Sequence, residues 1–207
     1  MRIALIHAVR VAMQPVEDAF RRHWPQAERM NLLDDTLSVD RSRDSELTAA
    51  MSQRIGALAD YALACGASGI LYTCSAFGDA IQRVKDRLRV PVLKPNEAMF
   101  EEARRHGTQL GLLATFPASI ASMQAEAPDI VLQSVCIPEA MIALQSGEAE
   151  KHDALLAAAA PLLAGCDAIM LAQFSTARAR DAVAATVDCP VLTSPDSAVL
   201  AMRRLVR

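Results

Sequence analysis

The chain has 207 residues, 52% of them hydrophobic but only 4% aromatic, and a formal net charge of −3. That length suggests one or two domains, and the mild acidity (pI about 5.8) supplies no basic face, which argues against nucleic acid as a partner. A core that Ala, Leu, Val and Ile must fill favours helices on a parallel sheet over a β-sandwich. The longest apolar run, Ala154 to Cys166, is broken by Pro161 and Gly165 and falls short of the ~18–20 residues that span a bilayer. The apolar start, Ile3 to Val9, contains His7 and is too short for a secretory segment. Cysteines 65, 74, 136, 166 and 189 are odd in number and scattered, with no CxxC, so neither a zinc site nor a disulfide framework is suggested. The expectation is a cytoplasmic protein with free thiols and no membrane partner.

In chain order, Arg2 to Ala8 reads as a first strand, and Pro15 opens a helix carrying Val16, Ala19, Phe20, His23 and Trp24. Met30 to Leu33 is a second short strand. The polar stretch 34–44 reads as a long surface loop of the kind that often forms lids. Ser45 is a plausible cap for a helix with Leu47, Met51, Ile55, Leu58 and Ala62 on its apolar stripe, stopped by Gly66. Gly69 to Thr73 is a buried strand, followed by a helix from about Ser75 to Leu88. Val90-Pro91-Val92-Leu93 is a strand, and Asn96 caps the next helix.

From Thr108 the pattern begins again. Gln109 to Thr115 resembles Arg2 to Ala8, and Pro117 opens a helix with Thr115 as its expected cap. Ile130 to Ile137 alternates like a strand. Asp153 is the expected cap of an alanine-rich helix ending near Gly165. Ser194-Pro195-Asp196-Ser197 starts the last helix. Cys74 and Gln173, Pro91 and Pro190, and Gly66 and Gly165 are each 99 positions apart, so a whole helix–strand–turn–helix–strand unit is duplicated without a gap. The fold expected is α/β: two pseudo-symmetric, flavodoxin-like lobes, each a short parallel sheet flanked by helices. Lobe one would be 1–95 joined by the C-terminal helix 195–207, and lobe two 96–194. Ligands of such sheets bind beyond the carboxyl ends of the strands, so Cys74 and Gln173 are expected to face a common cleft.

The chemistry sits at the duplicated junctions. A cysteine just before a helix start lies near unpaired backbone N–H groups and the positive end of the dipole, which favour the thiolate. The same N–H groups, with the Thr73 and Ser75 hydroxyls, can hold a carboxylate. The other junction offers Gln173, Ser175 and Thr176. His7 and Thr115 end the first strand of each half and are candidates to line the site; Asn96 is a cap first and a ligand second. Cys65, Cys136, Cys166 and Cys189 lack this setting and read as structural.

Tyr72-Thr73-Cys74-Ser75-Ala76, Val92-Leu93-Lys94-Pro95-Asn96-Glu97-Ala98, Gly111-Leu112-Leu113-Ala114-Thr115 and Leu171-Ala172-Gln173-Phe174-Ser175 resemble the aspartate/glutamate/hydantoin racemase superfamily over essentially the whole chain. The resemblance implies two α/β lobes, no cofactor, and one cysteine per lobe exchanging the α-proton of a small carboxylate or amino-acid-like substrate from opposite faces. It places Cys74 on the first-lobe cysteine and Gln173 on the second. Glutamine is no base near neutral pH, so the implied enzyme transfers a proton at an α-carbon with a single cysteine, as racemase, isomerase or decarboxylase. Arylmalonate decarboxylases, in the same superfamily, protonate an enediolate with one cysteine of the second lobe. The alternative is a catalytically impaired member that binds a small carboxylic acid. A homodimer is implied by the resemblance alone.

Overall fold

A computed structural model describes residues 1–44 and 46–206, with no side chain described for Ala118. The expected Ser45 cap lies outside the described residues. The chain divides into two compact units, Met1–Pro95 with Ala198–Arg207, and Asn96–Ser197. Each is built on its own four-stranded sheet, and every pairing is parallel.

The first unit runs β1 (Arg2–His7), α1 (Met13–His23), β2 (Glu28–Leu33), α2 (Thr36–Arg43), α3 (Ala49–Ala64), β3 (Gly69–Tyr72), α4 (Gly78–Arg87) and β4 (Val92–Leu93). Its strands lie in the order β2-β1-β3-β4. That is the flavodoxin-like order, and it puts β1 and β3 at the centre, where both faces are covered. β3 is buried at every residue. On one face Ala4, Ile6, Ile70, Tyr72 and Val92 pack with Met51, Ile55, Ala59, Ile81 and Val84 of α3 and α4. On the other, the final helix approaches so closely that a Cβ on Gly69 would lie 2.7 Å from the Met202 sulfur. The buried Tyr72 hydroxyl donates to the Ile55 carbonyl (2.9 Å) and ties β3 to α3.

The second unit repeats the plan with α5 (Glu97–Ala103), β5 (Leu110–Ala114), α6 (Pro117–Glu126), β6 (Leu132–Cys136), α7 (Pro138–Gln145), α8 (Ala149–Ala159), β7 (Ala168–Leu171), α9 (Arg180–Ala184) and β8 (Val191–Thr193), in the order β6-β5-β7-β8. α10 (Ser194–Leu205) begins here and ends in the first unit. Its start is a reciprocal cap: Thr193 Oγ1 accepts from the Asp196 N–H (3.2 Å) and donates to the Asp196 carboxylate (2.7 Å). The 99-residue offset holds at the level of register. Ile70 pairs with Val92 in the first sheet, and Ile169 with Val191 in the second.

Several local expectations are corrected. The stretch expected to be a loop at 34–44 contains α2. Its amphipathic signal is weak because only Leu37 is buried; what holds it is Arg54 of α3, which bonds Asp34 (2.6 Å), Asp40 (2.5 Å) and Thr36. Thr48 caps α3, accepting from the Met51 N–H. α7 was not expected, although Pro138 in its first turn is a helix-start signal. Asp153 is interior to α8 rather than its cap, pairing with His152 and Arg178. Asn96 stands at the N-cap position of α5 as expected, but its side chain makes no cap bond, and the N-cap of α6 is Phe116 rather than Thr115. The helix after β3 begins as a 3-10 turn, Ser75–Phe77, before α4 takes over.

Burial pushes the Asp34 carboxyl up, but hydrogen bonds from Arg54 and Thr36 and the Arg54 charge outweigh it, so its pKa is lowered. A lowered folded-state value contributes stability above the ordinary carboxylate range that is lost as pH falls through it. Arg54→Ala should lower unfolding stability at neutral pH by about 1–3 kcal/mol and speed amide exchange across 36–43. The difference from the parent should shrink in acid; denaturant melts at two pH values check it.

Candidate functional site

Parallel strands deliver their carboxyl ends to the same edge of a sheet, so the residues just beyond β1 and β3 are neighbours. Register carries this to the first unit's candidates. Ile6 lies beside Tyr72, which sets His7 beside Thr73, with Cys74 next in line. His7 is 1% exposed and Thr73 5%. His7 Nδ1 is 2.9 Å from Thr73 Oγ1, and Nε2 is 2.9 Å from Asn31 Oδ1. Burial pushes the imidazole pKa down, against the Asn31 bond and the Glu17 charge, so the ring is neutral at neutral pH.

Cys74 is extended (φ −128°, ψ 120°), half-buried, and stands at the N-cap position of the 3-10 turn that holds Ser75. The electrostatics differ from the sequence expectation. Burial raises the thiol pKa; the Ala76 N–H and the Arg41 charge lower it, but by less. A three-residue 3-10 turn aligns few peptide dipoles, so the helix-end field is weaker than an α-helix start would supply. Cys74 therefore rests as a thiol. Arg41 was missed because it sits on α2, in the stretch expected to be a loop. Its Nε donates to the Ala76 carbonyl (3.3 Å) and its Nη1 to the Asp44 carbonyl (2.6 Å), which places the guanidinium over the cysteine turn. Arg54 holds α2 and so holds Arg41; no local pattern in the sequence announces that.

In the second unit, Thr115, Gln173, Ser175 and Thr176 gather beyond β5 and β7. Thr115 is one place further on than the position matching His7, since Leu113 pairs with Leu171. The Gln173 amide is oriented by the Thr115 N–H, which donates to Oε1 (3.3 Å), with Thr115 Oγ1 at 3.4 Å. Its Nε2 is buried with no partner among the described residues. Thr176 is satisfied locally: Oγ1 donates to the Gln173 carbonyl (2.7 Å) and accepts from the Gln173 N–H (3.3 Å). Ser175 is 6% exposed. Asn96, 2% exposed, accepts at Oδ1 from Ser194 Oγ (2.9 Å), while its Nδ2 is buried without a partner among the described residues. Two unpaired buried amide donors on one unit are costly unless a ligand or water accepts from them.

Among the described residues no group of three or more His, Cys, Asp and Glu is arranged to hold a metal ion, and no helix is long and apolar enough to cross a membrane. A cavity of about 380 Å³ lined by Pro161, Cys166, Asp188 and Cys189 lies at the opposite, amino-terminal ends of β7 and β8 and contains none of the candidates.

A family model described as Asp/Glu/Hydantoin racemase matches residues 8–136, more than half of the chain. The chain belongs to the Asp/Glu/Hydantoin racemase family. It is a racemase-like enzyme in class. No curated protein matches it in sequence. Among solved structures, allantoin racemase from Klebsiella pneumoniae is 16% identical with a TM-score of 0.70, over 100% of this chain and 87% of that one. Picrophilus torridus aspartate racemase is 13% identical with a TM-score of 0.73, over 99% and 94%. A glycine-to-cysteine variant of arylmalonate decarboxylase, in a sulfate-associated form, is 16% identical with a TM-score of 0.69, over 100% and 93%. At these identities the likeness is one of fold: two four-stranded parallel sheets flanked by helices.

The resting state of Cys74 can be tested. Alkylation by iodoacetamide, followed at the Cys74 peptide by mass spectrometry, should rise with pH to a midpoint above that of a free thiol. Arg41→Gln should move the midpoint higher and slow the reaction at fixed pH by roughly 2–5-fold. A midpoint below that of a free thiol would contradict the assignment.

Proposed function

We propose that this racemase-family chain is a cofactor-independent enzyme that transfers a proton at the α-carbon of a small carboxylate or amino-acid-like substrate, with Cys74 as its single acid/base cysteine. The observation that carries the reading is the difference between matched strand ends: a cysteine follows β3, and glutamine stands 99 residues on, after β7. Glutamine offers a hydrogen bond but no proton transfer. Symmetric two-base racemisation therefore has no second thiol in this chain's matched position.

A thiol raised by burial supports a donor role, in which Cys74 delivers its proton to an enolate carbon and leaves as thiolate, steadied by the Ala76 N–H and Arg41. Decarboxylation or isomerisation through an enolate would use it in that direction; α-deprotonation would use the reverse. Thr73 and Ser75 flank the cysteine, and His7 supports Thr73. Gln173, with its buried Nε2 lacking a partner among the described residues, and Asn96, Thr115, Ser175 and Thr176 are proposed as substrate-binding residues. Fixed N–H donors of this kind stabilise developing enolate charge without reorganising, which is where most of the rate enhancement is expected to arise.

The test is proton NMR in D₂O against a panel of amino acids, dicarboxylates and malonates, scoring α-deuterium incorporation and product. Cys74→Ala should lose about 10²–10⁴-fold in turnover, and Gln173→Ala roughly tenfold. Full activity in Cys74→Ala sinks the mechanism. Binding of a panel acid with neither exchange nor product would favour a carboxylic-acid binder instead.

A further inference from the structure

One polar network in the first unit runs from α1 to the residue before Cys74. Glu17 accepts at one carboxylate oxygen from Arg29 Nε (3.1 Å) and at the other from Asn31 Nδ2 (2.8 Å). The Asn31 amide is thereby oriented: its nitrogen faces the carboxylate, so its oxygen faces His7 Nε2 at 2.9 Å. An amide oxygen only accepts, so Nε2 carries the hydrogen. The neutral ring then turns a bare Nδ1 to Thr73 Oγ1, 2.9 Å away, and draws the hydroxyl hydrogen onto itself. The Ile6 carbonyl lies 3.3 Å from the same Oγ1. Were the ring to gain a proton and donate to Thr73, the hydroxyl hydrogen would still have an internal acceptor. In neither state does it point outward.

Among the described residues the second unit has no such network. Leu113 pairs with Leu171, so the positions matching His7 and Thr73 are Ala114 and Ala172. The fold does not require the polar chain; it accompanies the cysteine.

The geometry points to Glu17, Asn31 and His7 as positioning residues that make Thr73 Oγ1 an acceptor-only contact beside Cys74. The assignment rests on the proposed role of Cys74 as the reacting group. A group that reaches Thr73 from the cysteine turn is met by oxygen lone pairs. An N–H or O–H of the substrate is received there, and a carboxylate oxygen is left to other donors. Thr73 is thus a selector for a hydrogen-bond donor on the reacting end of the substrate.

Two measurements on the full chain test this. Nitrogen-15 NMR of the His7 ring, identified by its loss in His7→Gln, should show Nε2 protonated and Nδ1 bare at neutral pH, and Asn31→Leu should relax it towards a mixture of tautomers. The opposite tautomer, or a doubly protonated ring, overturns the relay. The second measurement is the ratio of Cys74 alkylation rates by iodoacetamide, which carries N–H donors, and iodoacetate, which carries only acceptors, each relative to free cysteine. Thr73→Val should lower that ratio by about three- to tenfold, and Thr73→Ser should restore it. A ratio that is unchanged or rises in Thr73→Val overturns the acceptor role. A Cys74 that neither reagent alkylates, alongside the stated tautomer, overturns the proposed function and the contact with it while leaving the relay in place.

Discussion

The parallel pairing of β3 with β1 is the constraint on which the rest depends. Four fully buried residues, Gly69 to Tyr72, are locked between β1 and β4 and covered on both faces. A slip of one residue would turn each side chain to the other face. Because the register is fixed, His7 has to sit beside Thr73, and Cys74 has to emerge at the sheet edge beyond it. Gly69 lets the final helix close over this strand, since any side chain there would meet Met202. The candidate residues of the first unit are thus placed by packing of apolar residues some distance from them.

The same constraint operates in the second unit with different contents. β7 is as buried as β3 and paired in the matching register. Its edge, however, carries Ala172 and Gln173 where the first carries Thr73 and Cys74. One unit ends in a thiol with a satisfied imidazole network behind it. The other ends in amides, Gln173 and Asn96, whose N–H donors have no partner among the described residues. A duplicated fold carries different residues at its two edges, a thiol on one and a side-chain amide on the other. Family membership accounts for the scaffold.

Much of this was legible in the sequence because it depends on short-range pattern. Apolar runs ended by Pro or Gly mark buried parallel strands, and the exact spacing of Cys74 and Gln173 exposed the duplication. Contacts between remote elements were not legible. α2 has little amphipathic signal of its own and is held by Arg54, so Arg41 could not be placed over the cysteine turn from its neighbours. The thiol pKa was expected to fall because a helix start was expected; burial reverses the sign. The His7 relay needs Glu17 from α1 and Asn31 from β2, two elements whose side chains meet only once the sheet order is known. Thr115 and Asn96 have the residue types of caps, yet tertiary partners take their side chains instead.

The central claim is that a single cysteine moves the α-proton. The stereochemistry of deuterium uptake tests it most directly. A substrate found by the D₂O panel should be converted in D₂O to product carrying one deuterium at the α-carbon in one configuration, because one thiol reaches one face. Product deuterated equally in both configurations at the earliest times would require a second proton-transferring group and would contradict the account.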